Sequence, residues 1–146
     1  MLEILYPRRC AVCDEIEVTG KGICPLCKDK VHVAGEPACK KCGKPLVDER
    51  KEFCTDCGKK HHVYTQGKAV FVYEGGIRNS MYRFKYGNKR EYAEFYANAA
   101  VEKYGVWLNK IKAEVLIPIP MYSRKKRLRG YNQAEVFARE LGRKAG

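Results

Sequence analysis

The spacing of hydrophobic residues predicts regular structure mainly in the second half of the chain. Residues 68–73, KAVFVY, are rich in β-branched and aromatic side chains and are followed by two glycines, a pattern typical of a strand. Ile77, Met81 and Phe84 then recur at helical spacing, which predicts a short helix that ends at residues 87–88, Gly-Asn. We therefore expect a strand followed directly by a helix.

A longer helix is predicted from about residue 90 to residue 104. Its apolar stripe consists of Tyr92, Phe95, Tyr96, Ala99 and Ala100. Aromatic stripes at this spacing belong more often to a hydrophobic core than to a cofactor site. We therefore assign these side chains to the core.

A second apolar run, VLIPI at residues 115–119, is short and bounded by proline, which favours a buried strand of an α/β sheet. The next segment, SRKKRLRGY at residues 123–131, predicts a loop. A helix is expected from about Asn132, which can cap the first turn with Glu135 completing a capping-box-like pair. In open α/β sheets, anions bind where a strand ends and the next helix begins. Five cations are candidate ligands there: Arg124, Lys125, Lys126, Arg127 and Arg129.

The alternative for this segment is a solvated basic loop without a ligand.

The first half contains all eight cysteines, arranged as four C-x-x-C pairs that are separated by ten, eleven and eleven residues. Two residues between thiolates allow one tight turn to present both sulfurs to a tetrahedral zinc ion, and a second pair closes the shell. We predict two structural zinc sites with sequential pairing: Cys10, Cys13, Cys24 and Cys27 in one, and Cys39, Cys42, Cys54 and Cys57 in the other. The spacing leaves open a crossed arrangement, in which the first pair joins the third.

Three other roles for these residues have less support. A disulfide scaffold requires an oxidising compartment, and the chain shows no export signal. The CPLC pair at residues 24–27 resembles a redox motif, but no strand and helix pattern surrounds it. His61 and His62 follow the last pair closely, yet eight thiolates already suffice for two zinc ions.

The distribution of cysteines and of charge divides the chain near residue 66. The sequence has 146 residues, of which 45% are hydrophobic and 32% are charged, and its formal net charge is +12. Residues 1–66 carry a net charge of +2 and residues 67–146 carry +10. We therefore predict a zinc-ribbon domain at 1–66 and a basic domain at 67–146, which a phosphate-bearing partner meets first.

The N-terminus lacks an apolar stretch of the length that a secretory signal needs, and no apolar run reaches the length of a membrane span. We expect a soluble cytoplasmic protein without a membrane partner.

Taken together, several motifs resemble the ComF family of competence proteins. They are LYPRRCAVC, the four cysteine pairs, FVYEGGIRNSMYRFKYGNKREYA, and IPIP followed by RLRGYNQAE. The resemblance covers nearly the whole chain. It implies a double zinc ribbon followed by a phosphoribosyltransferase-like α/β domain, in proteins that handle incoming single-stranded DNA during transformation. It also implies that the pyrophosphate loop extends from Arg124 to Gln133 and includes Gly130, Tyr131 and Asn132.

One family element is missing. Phosphoribosyltransferases bind the ribose phosphate of phosphoribosyl pyrophosphate through an acidic pair followed by Thr-Thr-Gly, and this sequence does not contain that motif. We therefore expect an incomplete phosphoribosyltransferase-like domain in a truncated chain, without transferase activity of its own.

Three functions remain as hypotheses. The first is a DNA-uptake accessory that binds single-stranded DNA. Its contact candidates, besides the basic segment and Tyr131, are Arg78, Tyr82, Arg83, Lys85, Tyr86, Lys89 and Arg90. The second is a phosphoribosyltransferase in a full-length form. The third is a zinc-ribbon adapter that contacts a helicase or another uptake protein.

Overall fold

The computed structural model describes residues 7–146, so the first two residues of the motif LYPRRCAVC lie outside the described residues. Helices make up most of the regular structure in this range: α1 (Pro25–Lys28), α2 (Thr55–Lys59), α3 (Gly75–Tyr86), α4 (Tyr92–Ile111), α5 (Ser123–Arg129) and α6 (Gln133–Ala145). Within residues 7–146, β pairing is limited to isolated antiparallel bridges, and no sheet forms.

The cysteine-rich part consists of two similar units. In the first unit a bridge joins Arg9 to Ile16 across the first cysteine pair, and in the second a bridge joins Ala38 to Pro45 across the third pair. The other two pairs lie at the start of the short helices α1 and α2. Buried side chains in these units are mostly small residues and cysteines, so a metal ion has to supply much of the folding free energy.

The two helices predicted between residues 77 and 104 are confirmed. Helix α3 is followed by Gly87 and then by Asn88, whose φ of 54° turns the chain. Helix α4 is longer than the aromatic stripe alone indicates, and Lys112, which follows it, has a φ of 47°. Among the helices of the described residues, none is both long and apolar enough to cross a membrane.

The main hydrophobic core lies between α3 and α4. Phe84 of α3 packs against Tyr96 of α4, with ring centroids 5.5 Å apart, and Phe95 stacks on Phe71 at 5.4 Å. The Ser80 and Tyr96 hydroxyls form a buried hydrogen bond of 2.6 Å. The aromatic stripe of α4 is therefore core, as predicted.

The strand predicted at residues 68–73 is wrong as a strand, although its middle makes β contacts. Phe71 forms a bridge with Val33, and two backbone hydrogen bonds flank it, from Ala34 N–H to the Val70 carbonyl and from Val72 N–H to the His32 carbonyl. This pairing is too short to count as a strand.

The strand predicted at residues 115–119 is also wrong. This segment forms no β-bridge with any other part of residues 7–146, and Ile117 and Ile119 are 85% and 80% exposed. Pro118 and Pro120 lack the N–H that a central strand would donate. The second half of the described chain is therefore helical, and the predicted α/β sheet is not observed.

The loop predicted at residues 123–131 is mostly a helix, α5. Arg, Lys and Leu are good helix formers, and the helix stops at Gly130, whose φ of 78° suits glycine. Only residues 130–132 connect α5 to α6.

Helix α6 begins as predicted after Asn132, whose side-chain oxygen accepts a hydrogen bond of 3.0 Å from the Ala134 N–H. The predicted role of Glu135 is wrong, because its carboxylate accepts from Lys126 and Arg139 rather than closing a capping box.

Direct contacts join the ribbon units to the helices. Ala11 is fully buried in the core between α3 and α4, and the Arg83 guanidinium donates to the Val12 carbonyl at 2.8 Å. The Tyr92 hydroxyl donates to the Asp14 carboxylate at 2.6 Å. The first ribbon unit is thus part of the same core, while the domain division at residues 66 and 67 stays a prediction.

Candidate metal centres and basic surfaces

The eight thiols form two separate clusters, each containing two consecutive cysteine pairs. Within each cluster all four sulfur atoms lie within 4.8 Å of one another. We call the cluster of Cys10, Cys13, Cys24 and Cys27 site 1, and the cluster of Cys39, Cys42, Cys54 and Cys57 site 2. The thiols are therefore grouped sequentially, and the crossed arrangement is not observed.

The sulfur spacing in both sites suits a tetrahedral zinc ion. The Sγ atoms of Cys13 and Cys24 are 3.7 Å apart, and those of Cys42 and Cys54 are 3.8 Å apart. Four sulfurs at about 2.3 Å from one zinc would be separated by about 3.8 Å. These distances exceed a disulfide bond, and all eight cysteines are free thiols.

The first cysteine pair of each site is followed by a residue with positive φ, which closes the same kind of tight turn. Asp14 follows Cys13 with a φ of 68°, and Gly43 follows Cys42 with a φ of 75°. Both residues donate their N–H to the carbonyl of the first cysteine of the pair. Gly43 is also required for space, since a Cβ there would lie 2.6 Å from the Ala69 nitrogen.

Each site contains one acidic thiol. Burial raises the pKa of Cys10, but backbone N–H groups that face its sulfur lower it further, to about 7. The same balance lowers the pKa of Cys39 to about 6. In contrast, burial and the neighbouring thiols raise the pKa of Cys27 and of Cys57 to about 12. Four adjacent thiolates therefore need a cation to hold them.

Zinc fits this donor set, and all four coordination positions are taken by protein sulfur in each site. Such a closed shell leaves no position for water or substrate, so zinc supplies folding free energy here and not catalysis.

Comparison with known proteins agrees with this geometry. Residues 1–58 match the double zinc ribbon domain family, and all eight cysteines lie within the match. The first part of the chain is a double zinc ribbon. No curated protein and no solved structure matches the chain.

The two sites of the double zinc ribbon differ in their surroundings. Site 1 lies against α3 and α4 through Ala11, Val12 and Asp14, and Asp14 also forms an ion pair of 2.8 Å with Lys89. Site 2 contacts the chain that follows it: the Gly67 N–H donates to the Lys41 carbonyl at 2.6 Å. Only site 1 is therefore built into the helical core.

The predicted anion segment, residues 124–133, divides into two parts. Arg124, Lys125 and Arg127 lie exposed on α5 without a hydrogen-bond or ion-pair partner in the described part of the chain. Lys126 forms an ion pair of 3.2 Å with Glu135. Arg129 donates to the Tyr86 hydroxyl at 2.8 Å and to the Gln133 side chain at 3.2 Å.

The last residues of that segment have structural partners. The Tyr131 hydroxyl donates to the Phe84 carbonyl, and the Gln133 amide donates to the Lys85 carbonyl at 3.2 Å. Asn132 caps α6 and donates to the Ile119 carbonyl at 3.0 Å. Because no strand precedes α5, residues 124–133 do not lie at the end of a strand, and their role as an anion site stays a prediction.

The nucleic-acid contact candidates also separate into two groups. Arg83 and Lys89 bind the ribbon, and the Arg90 guanidinium donates to the Gly130 carbonyl at 3.1 Å and lies over the Tyr131 ring. The other four lie together on α3: Arg78, Tyr82, Lys85 and Tyr86.

These four side chains line a shallow groove of about 340 Å³, together with Tyr73 and Asn79. Tyr82 and Tyr86 are 66% and 57% exposed, and their ring centroids are 5.0 Å apart. The Arg129 guanidinium lies 4.5 Å from the Tyr86 ring centroid. We call this surface the tyrosine groove.

Sequence reasoning missed Asp14, Glu17 and Asn79. The contacts of Asp14 could not be inferred from sequence, because its partners, Lys89 and Tyr92, lie far away in the chain. Asn79 occupies the same helix face as Tyr82, so the helical spacing of α3 contained the information that would have identified it.

Proposed function

We propose that this zinc-ribbon protein is a nucleic-acid accessory of the ComF type that binds single-stranded DNA during transformation. The double zinc ribbon supports α3 from one side, and the tyrosine groove on the exposed side of α3 receives the strand. Bases stack on tyrosine and phosphates meet arginine and lysine.

The exposed pair of Tyr82 and Tyr86 is the observation that carries this proposal. Large aromatic rings on a surface, surrounded by cations, are typical of sequence-tolerant single-strand binding, because every base offers a stacking face. Arg78 and Lys85 flank the pair, and neither side chain has a hydrogen-bond or ion-pair partner within residues 7–146. Both cations are therefore available for phosphates.

Fluorescence anisotropy with a labelled single-stranded oligonucleotide tests the stacking contact. Tyr82→Ala should weaken binding about tenfold, since one stacked base contributes about 1–3 kcal/mol. Tyr122→Ala is the matched control, because Tyr122 is exposed to a similar degree outside the groove. Equal losses in the two variants would refute the assignment of the groove.

A salt titration tests the binding of phosphates. The double variant Arg78→Ala/Lys85→Ala should reduce the slope of log affinity against log salt by about 0.7 for each phosphate that is no longer neutralised. Lys60→Ala/Lys110→Ala removes the same charge from exposed positions elsewhere. An identical change of slope in both would mean that net charge, and not the groove, attracts the strand.

A second proposal is that the helical half forms part of a phosphoribosyltransferase-like domain. It is supported by the exposed apolar run at residues 115–119, which is the type of segment that neighbouring strands cover in an α/β fold. Calorimetry with pyrophosphate should give a smaller heat for Arg127→Ala/Arg129→Ala than for the unmodified chain. Equal heats would remove residues 124–133 as a pyrophosphate site.

A further inference from the structure

The two zinc sites differ in the side chains that surround them. In site 1, Cys10 and Cys27 form a buried cluster with Val12, and the partly buried Ile23 packs against it. The buried apolar clusters of the described residues contain no cysteine of site 2. Site 2 is contacted instead by the segment that follows its last cysteine pair, residues 62–67.

The end of this segment is attached to the turn of the third cysteine pair. The Gly67 N–H donates to the Lys41 carbonyl at 2.6 Å, and the Gln66 side-chain amide donates to the Lys40 carbonyl at 3.3 Å. A Cβ on Gly67 would lie 3.3 Å from the Cys42 Cα. The chain therefore returns to site 2 after leaving Cys57.

Tyr64 lies in this segment, and two contacts hold its ring. The Lys41 ammonium lies 5.1 Å from the ring centroid, a distance that suits a cation–π contact. The His62 ring stacks on Tyr64, with the two centroids 5.2 Å apart. Because Lys41 stands between the two cysteines of the third pair, the Tyr64 ring is fixed beside site 2.

The Tyr64 hydroxyl faces the thiols of site 2. Desolvation raises the pKa of this hydroxyl, and the negative charge of the Cys57 sulfur and a hydrogen bond with it raise the pKa further. Cys57 is only partly buried, so its sulfur is open to a donor outside the cluster of thiols. Four thiolates around one zinc ion carry a net charge of about −2, and a neutral O–H group can donate to such a sulfur.

We propose that Tyr64 stabilises zinc in site 2 without binding the metal: its hydroxyl donates to the zinc-bound sulfur of Cys57, while Lys41 and His62 hold its ring in place. Groups that hydrogen-bond to metal ligands orient them, and their loss typically weakens metal binding by about 10- to 100-fold. Tyr64 is thus a positioning residue. This role is independent of single-strand binding, since Tyr64 lies outside the tyrosine groove.

Residue-resolved alkylation tests the proposal on the whole chain. A chelator series sets the free zinc concentration, N-ethylmaleimide alkylates thiols that zinc does not hold, and peptide mass spectrometry reports each cysteine. Tyr64→Phe keeps the ring but lacks the hydroxyl. It should raise the free zinc concentration that half-protects site 2 about tenfold and leave site 1 unchanged. Tyr122→Phe, which removes an exposed hydroxyl elsewhere, should change neither site.

Cadmium-113 NMR distinguishes a bond to sulfur from a general effect on folding. With cadmium in both sites we expect one resonance per site, and each chemical shift depends on the charge that the sulfur ligands donate. Tyr64→Phe should move one resonance and leave the other in place. Tyr122→Phe should move neither.

Three results would overturn the proposal. In the first, Tyr64→Phe leaves the protection of site 2 unchanged. In the second, it weakens both sites equally, which would mean that the hydroxyl stabilises the ribbon as a whole. In the third, site 2 is weakened but both cadmium resonances stay in place, since the loss would then come from packing and not from a hydrogen bond to the Cys57 sulfur.

Discussion

Glu17 is the one buried carboxylate among the described residues, and it lies between the two cysteine pairs of site 1. Its oxygens accept hydrogen bonds from the Thr19 hydroxyl and N–H and, at 3.1 Å, from the Gly22 N–H. Burial raises the pKa of Glu17, but these hydrogen bonds lower it more, and the pKa lies below its usual value. The ionised carboxylate therefore fixes the turn that leads into Cys24.

Glu17→Gln should lower the free energy of unfolding of the zinc-loaded protein by about 2 kcal/mol. The amide has one acceptor oxygen in place of two, and its NH₂ group would face N–H groups that need an acceptor. Denaturant unfolding at a fixed zinc concentration measures the change. Glu15→Gln, at an exposed neighbouring position, should change stability very little. A similar loss in both variants would mean that Glu17 does not hold the turn.

The zinc ligands could be predicted from sequence because residue type and spacing alone define them. The two C-x-x-C pairs of each site are close in the chain, and the structure brings their sulfurs within 4.8 Å. Glu17 could not be predicted in this way. Its role depends on a turn that places two backbone N–H groups around one carboxylate, and no spacing rule specifies that arrangement.

At the scale of elements, periodicity predicted α3, α4 and α6, because each buries one face in the core or against another helix. The strand predictions failed because a strand needs a partner as well as suitable residues. Residues 115–119 have the composition of a buried strand but form no β-bridge with any other part of residues 7–146. The run at residues 123–129 formed a helix because its residues are good helix formers and nothing in the sequence interrupts it before Gly130.

The start of α6 depends on two hydrogen bonds of Asn132. Its side-chain oxygen caps the helix at Ala134, and its amide group donates to the Ile119 carbonyl. Asn132→Ala loses both bonds and should reduce the free energy of unfolding by about 1–2 kcal/mol. Asn132→Asp keeps the cap and places a favourable negative charge at the helix N-terminus, but loses the donor. We expect a smaller loss for Asn132→Asp.

Urea denaturation followed by circular dichroism at 222 nm distinguishes these effects. Asn109→Ala in α4 serves as the control for replacing an exposed asparagine. Equal losses in Asn132→Ala and Asn132→Asp would show that the contact with Ile119, and not the cap, determines how stable this end of α6 is.

Over the whole molecule, the two zinc sites have different consequences for the helices. Site 1 places Ala11 inside the core, and the Val12 carbonyl accepts from Arg83, which lies on the same helix as the tyrosine groove. A Cβ on Gly76 would lie 2.8 Å from the Val12 side chain, so α3 packs directly on this turn. Site 2 is connected to the helices by the segment that follows it, in which the Ala69 carbonyl accepts hydrogen bonds from Lys103 and Tyr104.

Loss of site 1 should therefore disturb α3 and the groove, whereas loss of site 2 should not. Cys13→Ser and Cys42→Ser are matched, since each removes the second cysteine of the first pair in its site. Both should lower the zinc content from about two to about one ion per chain. Only Cys13→Ser should also weaken oligonucleotide binding and reduce the protection of α3 amides in hydrogen exchange, because Arg83 and Ile77 lose their packing partners on the turn of site 1. Equal effects of the two variants on α3 protection would contradict this, since the ribbon would then act on the helices as one unit and not through the turn that contains Val12.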